Sequence, residues 1–273
     1  MVRAIFGAMM AAGPAAVTRG WRLESQCAVS MQRPGTQPIL LRLEAGSAQD
    51  AEEALLTISP LIIDVLSLLL AVGPDGAPRA RLIRPADILQ AKGGGRRCGQ
   101  ERRALEQHIA ELLQILRRLS LGAGPLLFDL TPIEGGAFVF QPGAALRQLA
   151  CGAPLVRVDP KLLQLDHRTN RGPDLLAKKL GVHFALGGES IAIRNVRSLL
   201  RAVGEASPEL ATRIGRSGRL AERFDEALLR LEERSLFHVR YRGKPIDQRV
   251  KGWVNRWLAA DLVITPWRGE NAL

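Results

Sequence analysis

The sequence predicts a mainly α-helical fold with short β-ribbons, an α+β protein of two similar halves. Aromatic residues make up 4% of the 273 residues and tyrosine occurs once, so Leu, Ile, Val and Ala must build the core, which favours helices. Two long segments, near 100–119 and 219–234, carry apolar residues at helical spacing. Each is followed by a strand-like stretch and a turn. A length of 273 residues allows one large domain or two small ones, at roughly 100–200 residues each. Hydrophobic residues at 47% and charged residues at 24% exclude a mostly disordered chain.

Residues 1–37 are expected to lie outside the fold, as a disordered tail or the product of a start placed ahead of Met31. They hold Gly13-Pro14 and Arg33-Pro34-Gly35 and show neither helix nor strand period. Met1-Val2-Arg3 followed by the apolar run to Val17 imitates a secretory leader, but Gly7, Gly13 and Pro14 interrupt it. Two domains are expected in the remainder, over 38–150 and 151–273.

In the first, residues 51–72 read as helical, with a start at Pro60 capped by Ser59. Gly73-Pro74-Asp75-Gly76 is a turn. Ala80, Leu82 and Ile83 suit a short strand, and Pro85 opens a short helix that Gly93-Gly94-Gly95 ends. The long helix follows, about Gln100 to Leu119, with Leu105, Ile109, Leu112, Leu113, Leu116 and Leu119 on one stripe. Leu126–Leu130 and Ala137–Phe140, joined at Glu134-Gly135-Gly136, form a hairpin. Helix, short strand, short helix, long helix, ribbon is the order of a winged helix-turn-helix. In that fold the third helix presents its polar face to a DNA groove, and the ribbon leans on the backbone beside it.

The second half repeats the order. A helix runs from Asp174 to about Leu186, Ile191–Ile193 is a short strand, and Asn195–Val203 is a short helix. The long helix, about Arg219 to Arg234, carries Leu220, Phe224, Ala227, Leu228 and Leu231 on one stripe. Phe237–Tyr241 starts a ribbon that turns at Arg242-Gly243-Lys244-Pro245 and returns less regularly, and a last helix holds Trp253, Trp257 and Leu258. Two tandem winged helix-turn-helix domains are therefore expected.

Charge points to the partner. The chain carries 38 basic and 27 acidic residues, a net +11, with a pI near 10.6. Ten basic residues stand against four acidic ones over Arg79–Arg118, and fifteen against eight over Arg194–Arg256. Excess positive charge in both halves suggests a polyanion. The candidate DNA contacts are Arg96, Arg97, Arg102 and Arg103 in the first half, and Arg213, Arg216, Arg219 and Arg223 around the start of the second long helix. A helix N-terminus already favours phosphate, and arginine adds bidentate contacts to phosphate or guanine. Arg240 and Arg242 would touch phosphate from the ribbon.

Catalysis is not indicated. Tyr241 invites comparison with the tyrosine nucleophile of DNA-nicking enzymes, but strand alternation puts it on the face of Val239, opposite His238 and Arg240. No His-x-His pair accompanies it. His108 and His167 have no partner at metal spacing, so neither metal nor cofactor is expected. Gly93-Gly94-Gly95-Arg96-Arg97 lacks the phosphate-loop spacing. Cys27, Cys98 and Cys151 lie far apart and are odd in number, which suits reduced thiols in a cytoplasm. The longest apolar stretch, from Leu61 to Val72, is broken by Asp64 and Ser67 and falls short of the ~18 residues of a membrane span.

The layout resembles the iteron-binding plasmid replication initiators, which carry two winged-helix domains in tandem. Leu165-Asp166-His167-Arg168 leading into Asp174–Leu186 is similar to the entry of their second domain. Ile193–Leu200 looks like its short helix and Phe224–Leu231 like its recognition helix. The resemblance covers about residues 55–260 and rests on order and pattern. It implies an initiator whose second domain reads a repeated origin sequence, and whose first domain adds DNA and dimer contacts. A homodimer and host replication proteins are the further partners to be expected. The rival functions are a winged-helix transcriptional regulator, a helical protein-interaction adaptor without a DNA role, and a tyrosine-dependent nicking enzyme.

Overall fold

A computed structural model describes residues 2–10, 12, 21–25, 28–33, 39–71, 79–92, 99–122, 124–150, 158–165, 172–187, 191–205, 217–243 and 246–267. Helices alternate with small antiparallel sheets, in two compact units, Met1–Leu155 and Val156–Leu273.

The first unit opens with a correction. The described parts of residues 1–37 are not a tail outside the fold. They supply helix α1 (Val2–Met10) and strands β1 (Arg22–Ser25) and β2 (Ala28–Arg33). These strands join β3 (Ile39–Glu44) and β5 (Leu119–Leu121) in a sheet of order β1-β2-β3-β5. The cause is burial: Ile5, Phe6, Met9 and Met10 are all buried. A helix apolar all round is a buried helix, and it leaves no polar face to mark its period. The Trp21 indole N–H donates to the Ala8 carbonyl at 3.2 Å and ties the following strand back to the helix.

The stretch expected as one helix is two, α2 (Ala48–Thr57) and α3 (Ile62–Leu69). Ser47 caps α2, its hydroxyl accepting from the Asp50 N–H at 3.1 Å. Ser59 does not cap α3, which starts from Leu61 without a side-chain cap. The Ser59 hydroxyl, two residues ahead of that start, accepts from the Leu61 N–H at 3.3 Å, as the expected cap would, and also meets His108 Nε2 at 2.7 Å.

Beyond α3 the order is β4 (Arg81–Ile83), α4 (Pro85–Ala91), α5 (Gly99–Leu116), β6 (Phe128–Pro132) and β7 (Phe138–Pro142). The stripe of α5 is buried at Ile109, Leu112, Leu113 and Leu116, while Leu119 has left the helix for β5. The β6–β7 turn needs Gly135 and Gly136, whose φ values of 80° and 73° suit glycine. The sheet order is β4-β7-β6. Helix α6 (Ala144–Ala150) follows.

The second unit begins with α7 (Pro160–Leu163) and α8 (Pro173–Ala185). Then come β8 (Ala192–Asn195), α9 (Val196–Ala202), α10 (Ser217–Glu233) and β9 (Phe237–Tyr241). The less regular return expected between the 242–245 turn and the last helix is not a strand over residues 246–252. Helix α11 (Trp253–Ala259) intervenes, and β10 (Asp261–Pro266) makes the return. Leu262 and Ile264 alternate inward, opposite Tyr241 and Val239, and this buried face selects β10 as the partner. The sheet order is β8-β10-β9. Helix α8 packs along α10, and Phe224 and Trp257 meet edge to face at 5.8 Å.

Setting aside β5 in the first unit and α11 in the second, α3–β7 and α8–β10 both run helix, strand, helix, helix, strand, strand, with the last strand central between the other two. The two long helices hold equivalent places in that order.

Candidate nucleic-acid interface

In the first unit, Arg96 and Arg97 lie outside the described residues. Arg102 and Arg103 stand exposed in the first turns of α5. Arg102 Nε pairs with Glu106 one turn on, at 2.8 Å. Two other cations from the same basic stretch turn inward. Arg81 donates to the Leu68 carbonyl, lies 5.6 Å over the Phe140 ring, and has its pKa lowered by burial. Lys92 sits 3.6 Å from Asp64, itself only 2% exposed. The β6–β7 ribbon carries Asp129 and Glu134 exposed and no cation.

In the second unit, Arg213 and Arg216 also lie outside the described residues. Arg219 is exposed in the first turn of α10. Arg223, expected beside it on DNA, is turned away: its Nη2 lies 2.5 Å from Glu205, which also holds Lys179 at 3.2 Å. The outward face of α10 carries exposed Glu222, Glu226 and Glu233 together with Arg219 and Arg230. Arg230 lies 2.8 Å from Glu233 and 3.4 Å from Asp174. The face is therefore not the basic one the net charge suggests.

Arg240 is exposed but committed. It makes two bonds to Glu232, at 2.8 and 2.5 Å, and His238 adds a third at 3.0 Å. Arg240 first, then His238, holds the Glu232 carboxyl below the usual carboxylate range. Arg242 is exposed at the end of β9.

Tyr241 faces inward with Val239, as strand alternation requires. Its hydroxyl donates to Asp225 at 2.6 Å and accepts from the Trp257 indole at 3.0 Å. Burial, then the Asp225 bond, raises the phenol above its ordinary range. Burial also raises Asp225, opposed by the hydrogen bond from Tyr241. A phenol so held braces β9, α10 and α11 and is a poor nucleophile.

Three arginines were counted in the charge of the second half but not singled out as contacts. Arg194 is exposed at the end of β8, and Arg197 and Arg201 follow one turn apart on α9, half-buried and exposed. Asn195 between them caps α9, accepting from the Ser198 N–H at 2.8 Å. Their signal was the four-residue spacing of Arg197 and Arg201 on a short helix, hidden inside a charge total over the whole half.

The chain is similar to a solved structure. It aligns with a crystal structure of domains 2 and 3 of RctB at 11% identity and a TM-score of 0.45, over 96% of this chain and 99% of that one. No family model and no curated protein matches it. Among the described residues no helix is long and apolar enough to cross a membrane.

Proposed function

We propose that the chain is a double-stranded DNA-binding protein of two winged helix-turn-helix units, acting as a plasmid-type replication initiator at repeated origin sites. The observation that carries it is the repeated order of elements with the last strand central in each terminal sheet. Under this reading α4–α5 and α9–α10 are the two helix-turn-helix pairs, and β6–β7 and β9–β10 are the wings. Arg102, Arg103 and Arg219, at the starts of the long helices, reach the grooves, and Arg194, Arg197 and Arg201 line the short helix ahead of α10. Initiation is favoured over regulation by the pattern resemblance of Ile193–Leu200 and Phe224–Leu231 to the iteron-binding initiators. The chain acts by binding and not by catalysis, in the cytoplasm, and recruits host replication proteins to the bound origin.

The test is duplex binding by the purified chain across a salt series, with sequencing of the pool selected from random DNA. A steep salt dependence with an enriched motif that recurs in tandem near an origin is the expected result. Absence of duplex binding at low salt would overturn it.

A further inference from the structure

The turn between α2 and α3 carries Ser59, and α5 carries His108 and Glu111. Ser59 and His108 stand 49 residues apart in the chain, yet Ser59 Oγ lies 2.7 Å from His108 Nε2. On the other side of the ring, Nδ1 lies 3.3 Å from Glu111 Oε2, one turn further along the helix. Ser59 and His108 are half-buried and Glu111 is exposed, so solvent reaches the group.

The hydrogen bonds have one sense. A carboxylate only accepts, so Nδ1 carries the ring proton, and Nε2 of the neutral imidazole keeps a lone pair. The Ser59 hydroxyl then donates to Nε2. The same oxygen accepts from the Leu61 N–H at 3.3 Å, which favours negative charge developing on it. The Leu61 bond alone would hold the start of α3, and neither the histidine nor the glutamate is needed for that. Nucleophile, base and orienting acid stand in the order that activates a serine.

We propose that Ser59 is an acyl-acceptor site, taking the acyl group of an activated ester or thioester with His108 as its base. The Ser59 oxygen attacks the carbonyl carbon, and its proton passes to His108 Nε2. The bond from that carbon to the alkoxide or thiolate breaks, and the leaving group takes the proton from His108. The products are an ester of Ser59 and a free alcohol or thiol, with no oxidant or reductant. Glu111 is a positioning residue that holds the ring in the required tautomer. The Ile62 and Ile63 N–H groups are spent on the Ser59 and Pro60 carbonyls, at 3.0 and 3.2 Å, and offer no oxyanion hole. One such donor supplies about 10²–10³ in rate. Acylation is therefore slow and the ester persists, one per chain, as a mark rather than a turnover. The acylated oxygen no longer donates to His108, which uncouples the α2–α3 turn from α5. This chemistry is independent of the DNA-binding function proposed above.

The experiment treats the full chain with p-nitrophenyl acetate and follows acetylation of Ser59 by peptide mass spectrometry. The native wild type is expected to approach one acetyl group at Ser59, about 10²-fold faster than the same chain in urea. His108→Ala should slow this by about 10²–10⁴-fold. Free imidazole should restore part of that loss, which a purely structural role for the ring would not allow. His108→Gln, its fold checked by the melting temperature, carries the same comparison if His108→Ala does not fold. Glu111→Gln should slow acetylation and move the nitrogen NMR signals of the ring away from the Nδ1–H tautomer, and an unchanged tautomer would remove Glu111 from its role. Acetylation of Ser59 no faster in the folded than in the unfolded chain overturns the site. So does a wild-type rate in a folded His108 variant. Neither readout involves DNA, so failure here leaves the duplex-binding test untouched.

Discussion

Glu205 holds Lys179 and Arg223 at once, and both its partners and its own side chain are largely buried. Removing it takes away the carboxylate that both cations share in a largely buried place. Glu205→Ala should cost about 3 kcal/mol of stability, read from a denaturant melt. The same geometry separates two arginines that the sequence placed together. Arg219→Ala should weaken DNA binding by about 1–3 kcal/mol if it reads a base, or flatten the salt dependence if it meets phosphate. Arg223→Ala should lower the melting temperature and leave the salt slope alone. The Arg223–Glu205 pair was not foreseen because the two residues stand 18 apart in the chain, where no local pattern signals it. Tyr241 gives a pH test. Its raised phenol pKa means that the folded state keeps a proton the unfolded chain gives up above about pH 10. Stability should therefore fall as pH rises above that value, and Tyr241→Phe should flatten the fall. An equally steep alkaline loss in that variant would contradict the brace.

Single elements were legible where one face of one segment decides them. The stripes of α5 and α10 are buried almost residue for residue as their spacing predicts, and the β6–β7 hairpin sits around its Glu-Gly-Gly turn. Elements fixed by distant partners were not. Ser120 on β5 reaches Arg42 on β3 across 78 residues, and no window of sequence contains both. The last strand of the second unit was missed because a helix separates it from the strand it pairs with. One glycine shows how tightly an element join is set. A Cβ at Gly143, between β7 and α6, would lie 2.1 Å from the Leu126 carbonyl oxygen and 2.7 Å from that of Leu127. Backbone atoms cannot swing aside as a side-chain tip does. Gly143→Ala should cost about 3 kcal/mol, seen as a shift in the thermal midpoint.

Across the whole molecule, the net charge of +11 is a poor guide to where DNA is met. Arg81 and Lys92 are turned inward, Arg223 and Arg240 are spent on glutamates, and the outer face of α10 is largely acidic. Composition suggests the sign of a partner, while the pairing that decides which cations remain outward arises only on folding. The repeated order of elements was readable in both halves, but the four-stranded sheet was not, because half its strands lie in a segment with no visible period. Under the proposed function, neutralising about 6–10 phosphates would make affinity for duplex DNA fall about 10³–10⁵-fold between 50 and 200 mM salt. A weak salt dependence would mean that few of the outward arginines touch the backbone.

The central place of β10 also bears on synthesis. Domains form as the ribosome extends the chain, at about 5–20 residues per second. A nascent chain that has emerged only to residue 260 holds β8 and β9 with nothing between them, since neither pairs with the other. Its inward Val239 then lacks Ile264, the residue opposite it on the central strand. The second unit can close only after residues 261–266 have left the ribosome, so a premature stop shortly before them would remove the centre of a sheet rather than trim its edge.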